Sequence, residues 1–437
     1  MKSDFLHIYP KSKHNRDNSE YFMAKQSSGE TVLVVSGADA TLFEGVQTRI
    51  KDKLCKLCPQ SSANSKIIRK LFDFTNPVSR KGHDITMGLG DRLGLACGGH
   101  ISAIADTGIF PVLAQQSIRE LTLTGRTYDD VLTAVVWAVF REGYKNGYAA
   151  DGDHLKSGAE IEYALGSGFS MITLDCSEHI PSGTETGRPE DIYLPALHYI
   201  ERIYNEYIKG TDIDFEISLD ETQIPLSPEA HLYIARELRK RGVIFESLAP
   251  RFPGDFQKGI DYRGDIAQFE RALAIHAKIA DESGYKLSIH SGSDKFSVFP
   301  GIAKICGGKF HLKTAGTSWL EAVRLIAKVR PALYRQMHTF ALSHLSEAKK
   351  YYHTTEDTSK IEDIRSVSDC DLPGYMEHED ARQVLHIAYG LILSAKTEDG
   401  PALFRDEIYK TLGEHDSEYA AALEKHIGRH LTALGIG

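Results

Sequence analysis

Six segments of this sequence carry residues that can bind, ionise or exchange protons. Asp151, Gly152, Asp153, His154 and Lys156 close one apolar run, and Asp175, Ser177, Glu178 and His179 follow the next. Glu216 and Ser218, then Asp220 and Glu221, mark a third, and Glu246, Ser247 and Arg251 a fourth. His290, Ser291, Ser293, Asp294 and Lys295 end a fifth, and His311 and Lys313 lie inside a sixth. Taken singly these are ordinary. An aspartate such as Asp153 can cap a helix, and a histidine at a strand end usually just completes a hydrogen bond. Taken together they would crowd carboxylates into one mouth, which is unfavourable without a cation to share the space.

A divalent metal is therefore the expected cofactor. His154, His290 and His311 offer imidazole nitrogens from three different segments, and three protein ligands with one open position suit a zinc-like catalytic ion. Zn, Mn, Ni and Co all accept such ligation, so the identity stays open. No local H-x-x-x-H or H-x-E signature marks these segments. His311 lies deepest in its run and has the strongest case for a structural part. It shares a strand face with Lys313 two residues on, and both are expected to point inward.

Those residues must be held by a scaffold, and its pattern recurs. Apolar runs at Ile85 to Leu89 (or Leu93 to Cys97), Ile109 to Gln115, Tyr148 to Asp151, Ser170 to Asp175, Ile213 to Leu219, Val243 to Leu248, Lys286 to His290 and Lys309 to Thr314 read as strands. Tyr128 to Glu142, Pro228 to Arg241, Ile266 to Ser283 and Ser318 to Val329 read as helices between them. Alternating βα order implies a parallel sheet. About eight units over roughly 240 residues match an α/β fold of the (β/α)8 TIM-like barrel type, whose chemistry sits at the C-terminal strand ends.

The expected organisation is an N-terminal lead-in over 1–80, the catalytic barrel over 81–330 and a C-terminal helical extension over 331–437. In the lead-in, Thr31 to Ser36 reads as a strand and Ala38 to Leu54 has helical spacing, which places Cys55 and Cys58 as ordinary thiols on a helix. In the extension, Glu362 to Gly374 reads as a loop and Asp380 to Ala395 as an apolar helix, with Arg382, Gln383 and His386 as packing or lid residues. Gly88 to Gly94 departs from the dinucleotide pattern G-x-G-x-x-G. We expect its backbone amides and Arg92 to hold an anionic substrate instead.

Bulk properties narrow the function classes. The chain has 437 residues, 42% hydrophobic and 25% charged, with formal net charge -9. A large core can form, and a nucleic-acid partner, which favours a basic face, is not expected. No run approaches the roughly 20 apolar residues of a membrane span, and Met1 to Arg16 lacks a signal-peptide core, so a cytoplasmic location is expected. The six cysteines are scattered, unlike a disulfide scaffold. Homo-oligomerisation is compatible with all of this.

Five motifs in order carry a resemblance. Asp91-Arg92-Leu93-Gly94, Ala150 to Lys156 (ADGDHLK), Ser247 to Phe252 (SLAPRF), His290 to Phe296 (HSGSDKF) and Phe310 to Thr317 (FHLKTAGT) resemble the tagaturonate epimerase family, over about Gly82 to Gly390. Gly152 departs from that pattern, where alanine is expected. The resemblance implies a divalent-metal-dependent epimerase acting on a small hexuronate in bacterial hexuronate breakdown.

The two hexuronates differ at C4, which neighbours neither the C2 ketone nor the C6 carboxylate. A retro-aldol cleavage of C3–C4 avoids deprotonating that carbon. It needs a proton carrier for each face of C4, and the expected pair is Asp153 as base and Glu221 as acid, with Asp220 as the alternate for Glu221. Lys156, Arg251 and Lys313 are expected to bind the carboxylate or polarise oxygens, and a Schiff base at Lys313 would duplicate the metal's job. Competing readings are transient C4 oxidation by bound NAD, a metal-dependent aldolase, a 4-epimerase of a neutral ketose such as tagatose, and a non-catalytic sugar-acid binding protein.

Overall fold

Short strands rich in β-branched and aliphatic residues alternate with capped amphipathic helices from residue 85 onward, and they close on themselves. A computed structural model describes residues 5–181 and 187–436. The barrel strands are β1 (Ile85–Leu89), β2 (Phe110–Ser117), β3 (Ala149–Leu155), β4 (Met171–Asp175), β5 (Asp214–Leu219), β6 (Ser247–Pro250), β7 (Lys286–Ile289) and β8 (Phe310–Thr314). Each pairs in parallel with the next, and β8 closes onto β1. Of the two runs competing for the first strand, Ile85–Leu89 forms it.

The intervening helices start and stop where local chemistry dictates. Thr127 caps the helix Tyr128–Glu142 in a reciprocal capping box with Asp130, and Gly143 ends it at φ 58. Asp265 caps Ile266–Ser283, and Gly284 ends it at φ 85. Pro228–Lys240 and Thr317–Val329 lie within a residue of their expected bounds.

The lead-in differs from its expected form. It is a six-stranded antiparallel sheet, with Thr31–Ser36 as an inner strand. The stretch expected to be helical holds a short 3-10 turn, Ala38–Leu42, and then a hairpin of Val46–Ile50 and Lys53–Cys58. Lys51 and Asp52 turn it with φ 47 and 66, the left-handed pair that a tight hairpin needs. Neither residue is glycine or asparagine, so the turn signal is faint. Cys55 and Cys58 consequently lie on a strand, both buried and unbridged. Tyr21, Met23 and Leu33 of this sheet share one core with Trp137 and Phe140 of the barrel.

A second core gathers around Trp319 and joins the last barrel helix to the C-terminal helices. The late apolar helix is broken once, into Glu379–Ile387 and Tyr389–Ser394. It packs on the segment after β6, where Arg382 donates to Gly259 O and Gln383 to Gln257 Oε1.

Candidate active site

The barrel interior is polar where many such barrels are aliphatic. Asp151, Thr173, Glu216, Ser247, Ser288, His311 and Lys313 are all buried inside it. Lys313, on β8, is the hub. Its Nζ lies 2.7 Å from Asp151 Oδ2, 2.7 Å from Asp153 Oδ1 and 3.0 Å from Glu216 Oε1, and it also donates to Thr173. Burial works against the ammonium, but these carboxylates outweigh it and raise its proton affinity. An amine so engaged is not available for a Schiff base. Burial pushes Asp151 up to about 6 even with Lys313 beside it.

At the mouth, a β-bulge sets the geometry. Ile172 pairs with Gly152 and Leu174 with Leu155, so β3 carries one extra residue there. Adjacent Asp153 and His154 therefore both line the pocket, although strict alternation would send them to opposite faces. His154 takes φ 53, and Ser291 and Asp294 beyond β7 take φ 50 and 61. Such conformations cost about 1–3 kcal/mol each for non-glycine residues and concentrate at functional sites.

His154, Asp220 and His290 converge there. Asp220 Oδ1 lies 3.3 Å from His154 Nε2 and 3.0 Å from His290 Nδ1. The far nitrogen of each ring is also held by a carboxylate. His154 Nδ1 meets Asp153 Oδ1 at 2.7 Å, and His290 Nε2 meets Glu216 Oε1 at 2.8 Å. Burial alone would lower both imidazoles, but Asp153 and Asp220 raise His154, and Asp220 raises His290. Burial likewise favours a protonated Asp220 and Asp153. The imidazoles hold Asp220 well below the usual carboxylate range, and His154 with Lys313 does the same to Asp153. Buried His290 Nδ1 makes no hydrogen bond. Two imidazoles and a carboxylate, with ligand atoms within 4.8 Å of one another and the outer imidazole nitrogens anchored on carboxylates, form a donor set that can hold a divalent cation.

Several expected residues meet in this pocket: Arg92, Asp153, His154, Glu221, His290 and Lys313 all line it. Others do not. His311 pairs with Thr86 in register, below the mouth, and its Nδ1 lies 2.8 Å from Thr86 Oγ1. Burial and the nearby Arg80 hold it neutral, and it stands outside the group formed by His154, Asp220 and His290. Lys156 turns away to Asp175 (3.3 Å) and Glu178 (2.9 Å). Arg251 donates to Thr222 O and lines the adjoining outer cleft. The amides of the glycine loop are already used, because the Asp91 carboxylate accepts from Leu93, Gly94 and Ala96 N–H. Arg92 itself stacks on Tyr389 at 3.7 Å and pairs with Glu120 at 3.3 Å.

Sequence reasoning passed over Glu216 as a site residue, together with Arg119 and Lys258. Glu216 joins the barrel floor to the mouth, through Arg80 at 3.2 Å on one oxygen and His290 on the other. Arg119 and Lys258 lie on connecting segments, and only the fold brings them to the pocket. Asp294, His426 and His430 form a second buried group. There Arg382 pairs with Asp294 at 2.8 Å, and His430 Nε2 accepts the Asp294 N–H. This network ties the C-terminal helices to the loop that follows His290.

A closed parallel barrel with this array at its strand ends defines an α/β-barrel enzyme. Comparison with known proteins narrows the class. The chain belongs to the tagaturonate epimerase family, whose model matches residues 9–191 and 188–434, and it is accordingly an isomerase. It is 39% identical to the tagaturonate/fructuronate epimerase of Thermotoga maritima over 98% of this chain and 96% of that protein. Native and glycerol-complexed crystal structures of the fructuronate-tagaturonate epimerase of Cohnella laeviribosi superpose with a TM-score of 0.95. They share 45% identity over 99% of this chain and 97% of theirs.

Proposed function

We propose that this chain interconverts D-tagaturonate and D-fructuronate at C4 by retro-aldol and aldol steps, with a divalent cation bound at His154, Asp220 and His290. The observation that carries this reading is the meeting of those three side chains beside Glu221 at one barrel mouth. When bound, the cation supplies charge stabilisation for the oxygens on C2 and C3.

The chain's own groups move the protons. Glu221, on the exposed rim of the pocket and 3.5 Å from Arg119, takes the C4 hydroxyl proton as the C3–C4 bond breaks. A three-carbon aldehyde acid and a three-carbon enediolate result. The aldehyde rotates, the same bond re-forms on its other face, and a proton returns to the C4 oxygen. Asp153 is the second carrier. It is shared by His154 and Lys313, so it is the weaker base of the two and also orients His154. The polar hub at Lys313 keeps the floor ionised yet neutralised. Tyr352 of the C-terminal extension forms part of the pocket wall, which favours retention of the cleaved fragments.

Metal-loaded protein incubated with D-tagaturonate and followed by NMR tests the reading. Formation of D-fructuronate, stopped by chelation, is the expected result. An absence of conversion with metal present would refute it.

A further inference from the structure

One cation on the pocket wall is held, among the described residues, by a single hydroxyl. Lys258, half-buried in the segment after β6, lines the wall, and its Nζ donates to Ser291 Oγ at 2.9 Å. Among the described residues no carboxylate oxygen lies within ion-pair distance of it, whereas its neighbours are better held: buried Lys295 gives its Nζ to the carbonyls of Gln257, Ile260 and Ser293. Arg92 pairs with Glu120, and Arg119 pairs loosely with Glu221. Burial, and then Arg119 and Arg92, pull the Lys258 ammonium below the ordinary lysine range. A desolvated cation with only a hydroxyl for company is unfavourable, and a bound anion would relieve it.

The pocket is thus polarised. Asp220 and its two histidines form one end. Ser291, the residue after His290, leads from there to Lys258, and Arg119 lies over Tyr352 at 5.0 Å. A sugar acid carries its carboxylate at one terminus and its ketone near the other, matching such a gradient. We infer that Lys258, assisted by Arg119, anchors the substrate carboxylate and makes the pocket select sugar acids over neutral sugars; this rests on the reading above only for the substrate being a sugar acid. The incoming carboxylate competes with Glu221 for Arg119 and frees Glu221 to face the C4 hydroxyl.

Calorimetric binding of D-gluconate and its uncharged counterpart D-glucitol tests the anchor without turnover, because neither has a ketone. Wild-type protein is expected to bind gluconate about tenfold or more tightly than glucitol, the scale of a charge-assisted hydrogen bond. Lys258→Met should remove most of that preference and leave glucitol unchanged, and Arg119→Gln should remove less. Equal binding of the two by wild type, or an unchanged preference in K258M, overturns the inference. The melting temperature of K258M is expected at or above wild type, since a surplus charge is removed. If that variant folds poorly, wild type decides by itself: added salt should weaken gluconate binding and spare glucitol, and an equal response overturns the anchor. Gluconate selectivity without epimerisation of D-tagaturonate would sink the proposed reaction and leave the anchor standing.

Discussion

His290 Nε2–H donates to Glu216 Oε1 across 2.8 Å, and this bond decides which edge of the ring faces the mouth. With Nε2 committed, Nδ1 is the ring nitrogen that faces Asp220 and would offer its lone pair to a bound cation. Because a second partner of this kind fixes tautomer and orientation, Glu216→Gln should weaken divalent-cation binding by about 10–100-fold. Titration of the stripped protein with Zn or Mn measures it, and an unchanged affinity would remove Glu216 from that role.

The donor set itself can be separated from its neighbours. His290→Ala should lower bound metal sharply, while His311→Gln should keep wild-type stoichiometry, because His311 is engaged with Thr86 below the mouth. Asp153→Asn should lose turnover yet retain metal, since asparagine still accepts from His154 Nδ1. Elemental analysis of the three variants decides. Metal retained in H290A, or lost in H311Q, would redraw the ligand set.

Removing Lys313 should be severe. Its ammonium touches Asp151, Asp153 and Glu216, so Lys313→Met leaves three carboxylates facing one another. A loss of about 3–5 kcal/mol is expected, as for a buried pair deprived of one partner. The carboxylates in the variant would hold protons more tightly folded than unfolded. Stability should therefore recover on acidification toward about pH 5 and fall again as pH rises. Urea unfolding across that range checks this, and a loss independent of pH would contradict it.

Acid sensitivity should also arise away from the site. His231 and His276 meet at 2.8 Å between barrel helices, and Tyr285 OH lies 2.6 Å from His231. Burial, joined by His276, pushes His231 down to about 3, and burial pushes His276 down to about 4. Both lie below the ordinary 6.5, so below that pH the unfolded chain binds more protons. The stability is fully present above about pH 6.5 and is lost progressively as pH falls toward 4 and below. A His231→Gln, His276→Gln double variant should show a flatter melting-temperature profile between pH 6.5 and 4. A profile as steep as wild type would refute the assignment.

Much of the scaffold was legible because its signals are local. Helices Tyr128–Glu142 and Ile266–Ser283 coincide with the expected bounds, since capping residues and glycine stops lie next to the turns they govern. The strand ends that carry Asp153, Asp220 and His290 were found because the barrel puts chemistry there whatever the loops do. The lead-in hairpin was missed because its turn lacks the usual glycine, and exposed Val46 and Leu54 blur the alternation of its strands.

The sequence by itself determined the alternating β and α order, the residue types gathered at the strand ends and the family motifs, all of which depend on neighbours in the chain. The tertiary structure alone decided which of them meet. A bulge in β3 put Asp153 and His154 on one pocket, strand register left His311 below it with Thr86, and barrel closure brought Lys258 and Arg119 from separate segments. Ligation and ion pairing act over a few ångströms of space, and separation along the chain does not encode that distance.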